Sequence, residues 1–234
     1  MNKITLAITT YNRTDLLFES FKQVADDPRL YEILIVDDCS DEQTVQTLIK
    51  ELAKYENVRL IINAHNRGMA QNKAYAVSQS LTDWCILFDS DNIMDKRYLD
   101  ALEACWEKEP PQDNVIYMPS KAEPNFDFTK HEGKMLCRGY WKNNISDPML
   151  NVGGNTANYV VNKDFYGKCF KENKDVKGSD TVFHLLQHLK HGGCAYIVPG
   201  MHYYHRDHAG STYRAHLDYN MAHSEKLRKE IQKL

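Results

Sequence analysis

The sequence predicts an α/β fold built on a mostly parallel central sheet flanked by helices. Two observations carry this. Short apolar runs alternate with amphipathic helical segments from Ile4 to Met118, joined by short connections, which is the pattern of strand–helix–strand crossovers. The polar clusters also fall in one place, after the strands: Thr9-Thr10-Tyr11-Asn12, Asp37-Asp38, Asn63 to Arg67, and Asp89 to Asn92. Crossovers of this kind are right-handed, and such sheets bind ligands beyond the carboxyl ends of their strands. The alternation and the polar strand ends therefore point to one site.

Ile4 to Thr9 reads as the first strand. A helix is expected over Leu16 to Val24, with Thr14 as its cap and Leu17, Phe21 and Val24 on one face. Ile33 to Val36 is a second strand, stopped by Asp37-Asp38-Cys39-Ser40, and Ser40 is placed to cap a helix from Glu42 to about Lys54. Val58 to Ile62 is a third strand. Met69 to Ser80 follows as helix, with Ala70, Ala74 and Val77 inward. Trp84 to Phe88 is the fourth strand and runs into Asp89-Ser90-Asp91-Asn92. A helix from Asp95 to about Glu107 turns Leu99, Leu102 and Trp106 inward and ends at Pro110-Pro111; Val115 to Met118 is the fifth strand.

After Ser120 the pattern changes. Lys121 to Leu150 is polar, aromatic and irregular, with Pro124, Gly133, Gly139 and Pro148. An irregular stretch of that length in a compact domain is usually a functional loop or partly disordered. Beyond it come a strand from Ala157 to Val161, a helix from Asp180 to Leu189 capped by Ser179 or Asp180, a strand from Ala195 to Val198, and a charged amphipathic helix from Leu217 to Leu234. Neither an internal repeat nor a linker interrupts the chain. Residues 1–234 thus read as a single domain, with halves of about 1–119 and 120–210 and a closing helix of about 217–234.

The 234 residues suffice for one α/β core, and 42% hydrophobic content excludes wholesale disorder. A net charge of −3 gives no global attraction to nucleic acid or anionic membrane. The six cysteines are scattered without a Cys-x-x-Cys pair, so reduced thiols in a cytoplasmic protein are expected. The amino terminus reads directly into a strand, without a signal peptide, and no apolar run reaches membrane-spanning length. The expectation is a cytoplasmic chain, with a peripheral position at the inner face of a membrane left open.

The chemistry begins at the fourth strand. Side chains alternate along a strand, so Asp89 and Asp91 share a side if the extended geometry persists. Two carboxylates with room for water suit Mg²⁺ or Mn²⁺ carrying a diphosphate. After the first strand, Tyr11 in Thr10-Tyr11-Asn12-Arg13 could stack on a base, or the segment could be a capping turn. One acid of Asp37-Asp38 could accept from the imide N–H of uracil, or cap the next helix. His202, His205 and His208 recur every third residue near the end of the domain. Trp141, Tyr140, Phe126 and Phe128 offer ring faces that suit a sugar, or pack in the core.

Thr10-Tyr11-Asn12-Arg13, Ile35-Val36-Asp37-Asp38-Cys39-Ser40, Asn66-Arg67-Gly68 and Phe88-Asp89-Ser90-Asp91-Asn92 occur in the order and spacing of family 2 glycosyltransferases, which the chain resembles from about Ile4 to Asn92. The resemblance continues through Gly153-Gly154-Asn155, Gly178-Ser179-Asp180 and Tyr204-His205-Arg206. It implies a GT-A type, Rossmann-like sandwich with a smaller acceptor-side sheet, a nucleotide-sugar donor (UDP before GDP or dTDP), and an inverting displacement. The first half would hold the donor and the second the acceptor, a growing glycan or glycolipid in polysaccharide biosynthesis. Thr9, Tyr11, Asn12, Arg13, Asp38 and Ser90 would line the nucleotide site. Asp89 would lie near the ribose and donor sugar and beside the metal, and Asp91 would ligate it directly. Lys73 is the nearest basic candidate for the phosphate contact, and Arg67 another. His205 is the best match for a metal- or diphosphate-bound histidine, which favours Mn²⁺ over Mg²⁺. Asp180 fits the place of the general base, although Ser179 replaces the usual first acid. Gly154, Asn155, Ser179 and His208, with Trp141, are the acceptor- or donor-sugar candidates.

Inversion needs one base to take the acceptor hydroxyl proton as oxygen attacks the anomeric carbon. A sugar-phosphate nucleotidyltransferase is the alternative, but it would carry a glycine-rich phosphate loop, and Thr9 to Arg13 contains no glycine. A catalytically inactive nucleotide-sugar-binding module would tolerate loss of the acids, yet Asp89, Asp91 and Asp180 are all present. No Gly-x-Gly-x-x-Gly follows a strand, which argues against a dehydrogenase.

Overall fold

The structure, a computed structural model, describes residues 3–144, 147, 158–170, 176, 178–206, 208 and 216–234. The strands are β1 (Ile4–Thr10), β2 (Leu30–Asp37), β3 (Val58–Ile62), β4 (Trp84–Asp89), β5 (Val115–Glu123), β6 (Phe126–Asp127), β7 (Met135–Leu136), β8 (Tyr159–Asn162) and β9 (Cys194–Tyr204). The helices are α1 (Asp15–Phe21), α2 (Glu42–Leu52), α3 (Met69–Gln79), α4 (Lys96–Lys108), α5 (Arg138–Asn143), α6 (Lys163–Cys169), α7 (Asp180–Lys190) and α8 (Leu217–Gln232).

The strands form one sheet in the order β3-β2-β1-β4-β8-β5-β9-β7, with β6 on β5. β1, β2, β3 and β4 are mutually parallel. β8 enters antiparallel between β4 and β5, which restores the original direction in β5 and β9. Alternation along the strands sorts the core into two layers. Ile4, Leu6, Ile8, Ile33, Ile35, Ile86 and Phe88 pack against α1, α2 and α4. Ala7, Leu34, Val36, Cys85 and Leu87 pack against α3, α6, α7 and the end of α8. Both faces are covered, so these strands read as continuous apolar runs.

The smaller sheet expected on the acceptor side is continuous with the main one. β5 and β9 shift register between Pro119 and Lys121 and then run on together to Glu123 and Tyr204, with β6 on the other side of β5. Both are longer than their apolar patterns, because pairing with a neighbour holds Lys121–Glu123 and His202–Tyr204 extended. The same holds for β6, β7 and α5, which organise a stretch that lacks local periodicity.

Several local expectations are corrected. Ser40 does not cap α2; its hydroxyl and N–H go to Asp37, and Asp41 accepts from Thr44 N–H at 2.8 Å instead. Thr14 makes no side-chain capping bond to α1. Cys137 and Cys194, expected to be reduced, form a disulfide with Cα atoms 4.3 Å apart. They flank the antiparallel Leu136–Ala195 pair, a cross-strand proximity that a sequence separation of 57 conceals. Trp141 is not an open sugar platform: it is buried in the α3/α7 layer and donates its indole N–H to Leu136 O at 2.8 Å. Gly154 and Asn155 lie outside the described residues. Among the described residues, no helix is long and apolar enough to cross a membrane.

The amino-terminal edge of the sheet is tied by one acid. Glu32, buried on β2, accepts from Thr5 Oγ1 at 3.0 Å, Leu81 N–H at 2.8 Å and Arg59 Nε at 2.8 Å, joining β1, β2, β3 and the loop before β4. Glu32→Ala would leave these donors unmet. It is expected to lower the unfolding free energy by about 3 kcal/mol, measured by urea denaturation.

Candidate active site

At the opposite edge, the loops after β1 and β2 lock together. Asn12 adopts a left-handed conformation (φ +47°), which asparagine tolerates better than most residues. Its N–H donates to Ser40 Oγ at 2.7 Å, and its Oδ1 accepts from Asp41 N–H at 2.9 Å. Thr10 Oγ1 donates to Arg13 O at 3.0 Å, which closes the β1–α1 turn. Thr9 is in register with Asp89 on the neighbouring strand. Tyr11 projects from this platform, 51% exposed.

Asp38 organises the β3–α3 turn. Its Oδ1 accepts from Arg67 N–H at 2.8 Å and Asn63 Nδ2 at 3.1 Å, and its Oδ2 from Gly68 N–H at 3.0 Å. Gly68 has φ +82°, which disfavours a side chain there. Arg67 itself turns onto the Tyr75 ring, 4.0 Å from its centroid, and donates to Asn63 Oδ1 at 3.1 Å.

The centre is a three-charge group. Lys73 on α3 is 2% exposed, and its Nζ lies 2.7 Å from both Asp89 Oδ1 and Asp180 Oδ2. Burial disfavours its charge, but the two carboxylates outweigh this and raise its pKa above the ordinary lysine range. Asp89 is shifted up, chiefly by burial, which the Lys73 charge offsets only in part. The Asp89 backbone N–H is met by Asn158 Oδ1 at 2.7 Å. Ser90, the residue between the two acids of the motif, is buried.

Asp91 has a different environment. Arg13 Nη1 lies 2.7 Å from its Oδ2, and His208 Nε2 lies 3.0 Å from the same oxygen. Burial opposes its ionisation, but Arg13 and His208 outweigh it and hold the carboxyl below its usual range. His208 is delivered by a clasp. Ile93 and Tyr204 exchange backbone hydrogen bonds of 2.9 Å. Arg206 then donates its N–H to Asn92 Oδ1 at 3.2 Å, Nε to Asp91 O and Nη2 to Leu16 O at 2.7 Å.

The histidine beside Asp91 is therefore His208, not His205. His205 lies 2.7 Å from Asn125 Oδ1 and packs edge-on against Phe126. His202 sits beside Glu123 and Asp95. Three-residue spacing could not choose among them; the Arg206 clasp does, and Arg206 itself carried only the resemblance. Ser179 is buried, with its hydroxyl beside His223.

Among the described residues no group of three or more His, Cys, Asp or Glu side chains converges as a metal cage. A carboxylate and an imidazole, Asp91 and His208, nevertheless stand side by side at 3.0 Å, a donor pair of the kind that could hold a divalent ion with other ligands.

A mixed central sheet flanked by helices, with acids gathered at the carboxyl edge of its parallel strands, has the GT-A fold. Residues 1–349 of Staphylococcus aureus TarS superpose with a TM-score of 0.66 at 16% identity, over 98% of this chain and 70% of that one. TarS in complex with UDP-GlcNAc matches at the same TM-score, over 98% and 71%. A family model described as glycosyl transferase family 2 matches residues 5–211. The chain belongs to that family. In sequence it is 29% identical over 124 residues to an uncharacterized glycosyltransferase of Haemophilus influenzae, covering 51% of this chain and 40% of that protein. It is 28% identical over 102 residues to the S. aureus poly(ribitol-phosphate) beta-N-acetylglucosaminyltransferase TarS, covering 42% and 18%. The chain thus spans well under half the length of these curated relatives.

Beneath the site, α7 carries two buried histidines. His184 Nδ1 lies 2.7 Å from the Tyr166 hydroxyl and 3.1 Å from that of Tyr159, and His188 Nε2 donates to Asn114 O at 2.9 Å. Burial pushes both down to about 4 from 6.5. Both are neutral in the folded chain, whereas in the unfolded chain they take up protons near pH 6.5. Their stabilising contribution is complete above that pH and is lost as pH falls toward 4. Each is expected to remove about 3 kcal/mol over that window. Urea unfolding at pH 7 and pH 4.5 checks this, and His188→Gln should show a shallower loss than the wild type.

Proposed function

We propose that the chain transfers a sugar, with inversion, from a UDP-sugar to a hydroxyl group of a glycan or glycolipid acceptor, assisted by Mn²⁺ or Mg²⁺. The observation that carries this is the meeting of Asp180 with Asp89 across Lys73, alongside Asp91 and His208. It brings a candidate base to the acidic end of β4 from 107 residues away from Lys73. The relative crystallised with UDP-GlcNAc supports a UDP-linked donor, and N-acetylglucosamine as the first sugar to try. In this reading residues of about 1–119 hold the donor and about 120–210 face the acceptor.

Tyr11, exposed at the mouth, is placed to stack on the base. Asp38 keeps the Arg67–Gly68 turn in place while its oxygens retain acceptor capacity for an imide N–H. Asp89, at the end of β4, faces the ribose and donor sugar. Asp91 and His208 would hold the ion, which when bound supplies a Lewis acid for the charge that develops on the departing diphosphate. Arg13 holds positive charge on the same carboxylate.

Asp180 takes the acceptor proton. Its Oδ2 lies 2.7 Å from Lys73 Nζ, a contact that orients the carboxylate at the end of β4.

Asp180→Asn should bind UDP as the wild type does and lose transfer by about 1,000-fold or more, followed as UDP release from UDP-N-acetylglucosamine. Normal turnover would place the base elsewhere. For Asp91→Asn, the Mn²⁺-dependent part of UDP affinity should disappear in calorimetric titrations with and without the ion. Equal ion dependence in the variant would remove Asp91 from the metal site. The anomeric configuration of the product, read by proton NMR, tests inversion.

A further inference from the structure

The closing helix reaches the site from outside the family's extent. The matched stretch ends at residue 211, whereas α8 runs Leu217–Gln232. Two of its side chains hold the two residues that precede Asp180. Asn220 Oδ1 accepts from Gly178 N–H at 2.9 Å, and His223 Nδ1 lies 2.6 Å from Ser179 Oγ. Asn220 and Ser179 are fully buried. Asn220 and His223 are three residues apart and share a helix face, which continues into the buried Leu227 and Ile231. That apolar end anchors α8 while its other end grips the turn.

Ser179 stands at the start of α7, where a serine hydroxyl ordinarily accepts from the first-turn N–H groups. It makes no such bond, and its φ of −107° and ψ of 22° are not those of an extended capping residue. The hydroxyl is turned to His223 instead. The first turn of α7, whose first residue is Asp180, is therefore fixed from α8 and not by its own cap. Where the resembling family places an acid before the base, this chain has a serine and supplies its partner from a later helix.

We propose that Asn220 and His223 are positioning residues, setting the Gly178–Ser179 backbone and through it aiming the Asp180 carboxylate. This rests on the reading of Asp180 as the base. Without His223 the Ser179 hydroxyl is free to swing to the helix cap and turn the first residue of α7 with it. A displacement of about 1 Å at a reacting group can cost about 100-fold in rate.

The test compares His223→Ala, Asn220→Ala, Ser179→Ala and His223→Asn, whose amide can stand where the ring Nδ1 does. Three readouts are taken: hydrogen–deuterium exchange of the backbone over 178–184, UDP release from UDP-N-acetylglucosamine with Mn²⁺, and UDP affinity. His223→Ala should raise exchange over 178–184, lower kcat by about 10- to 100-fold and leave UDP affinity within about twofold. His223→Asn should recover most of kcat. The Ser179→Ala/His223→Ala pair should be no worse than His223→Ala alone, since both changes delete the Ser179–His223 bond. Should His223→Ala fail to fold, Ser179→Ala removes the same contact and gives the same readouts. Unchanged exchange over 178–184 overturns the proposal. So does raised exchange with unchanged kcat in a protein that Asp180→Asn inactivates. If Asp180→Asn itself turns over normally, the base assignment is what fails, and the exchange data still decide whether α8 fixes the turn.

Discussion

A single buried ammonium holds the site together. Lys73 stands between Asp89 and Asp180 in a space that largely excludes water, so one positive charge answers two negative ones. A charge left without a partner in that setting would be costly, because burial disfavours an unpaired charge. The three groups come from three elements: α3, the end of β4 and the start of α7. Charge neutralisation is therefore also a geometric constraint, and the elements cannot separate without stranding a charge. The two-layer packing of the sheet brings these ends to one edge; the ammonium fixes how they meet.

Asp89 and Asp91 are two residues apart and chemically unlike. Burial drives one up, while Arg13 and His208 hold the other down. Each acid has its own cation: Lys73 beside Asp89, and Arg13 with His208 beside Asp91. The difference arises from what each carboxylate faces, not from its place in the motif.

The first half of the fold was legible because it is local. β1, β2 and β4 are largely buried runs and β3 a half-buried one, each following helix has a periodic face, and the polar clusters mark the carboxyl edge without any knowledge of the sheet order. Asp180 and Lys73 were visible as residues of the right kind, but the ion pair between them was not, since only tertiary packing brings them together. The choice of His208 over His205 depended on the Arg206 clasp, and the burial of Trp141 on an indole bond to Leu136. The Cys137–Cys194 link depended on two short strands with no pattern of their own. Asn220 and His223 escaped because a charged amphipathic helix looks like a solvated one until its partner is seen. A serine at a helix start that has a better partner elsewhere leaves no mark in the sequence.

The clasp at Arg206 also bears on when the protein becomes competent as it is made. The chain leaves the ribosome from its amino terminus, and β1 to β4 can pair as soon as they emerge. Asp91 and Arg13, 78 residues apart, meet early. His208 is 117 residues beyond Asp91 and comes to it only after β9 has paired with β5. Asp180 arrives in between, and α8 after both. A half-made chain has the loops after β1 and β2, but not Asp180 and His208 beside them. The cluster is thus assembled only when later segments have folded back onto the first four strands.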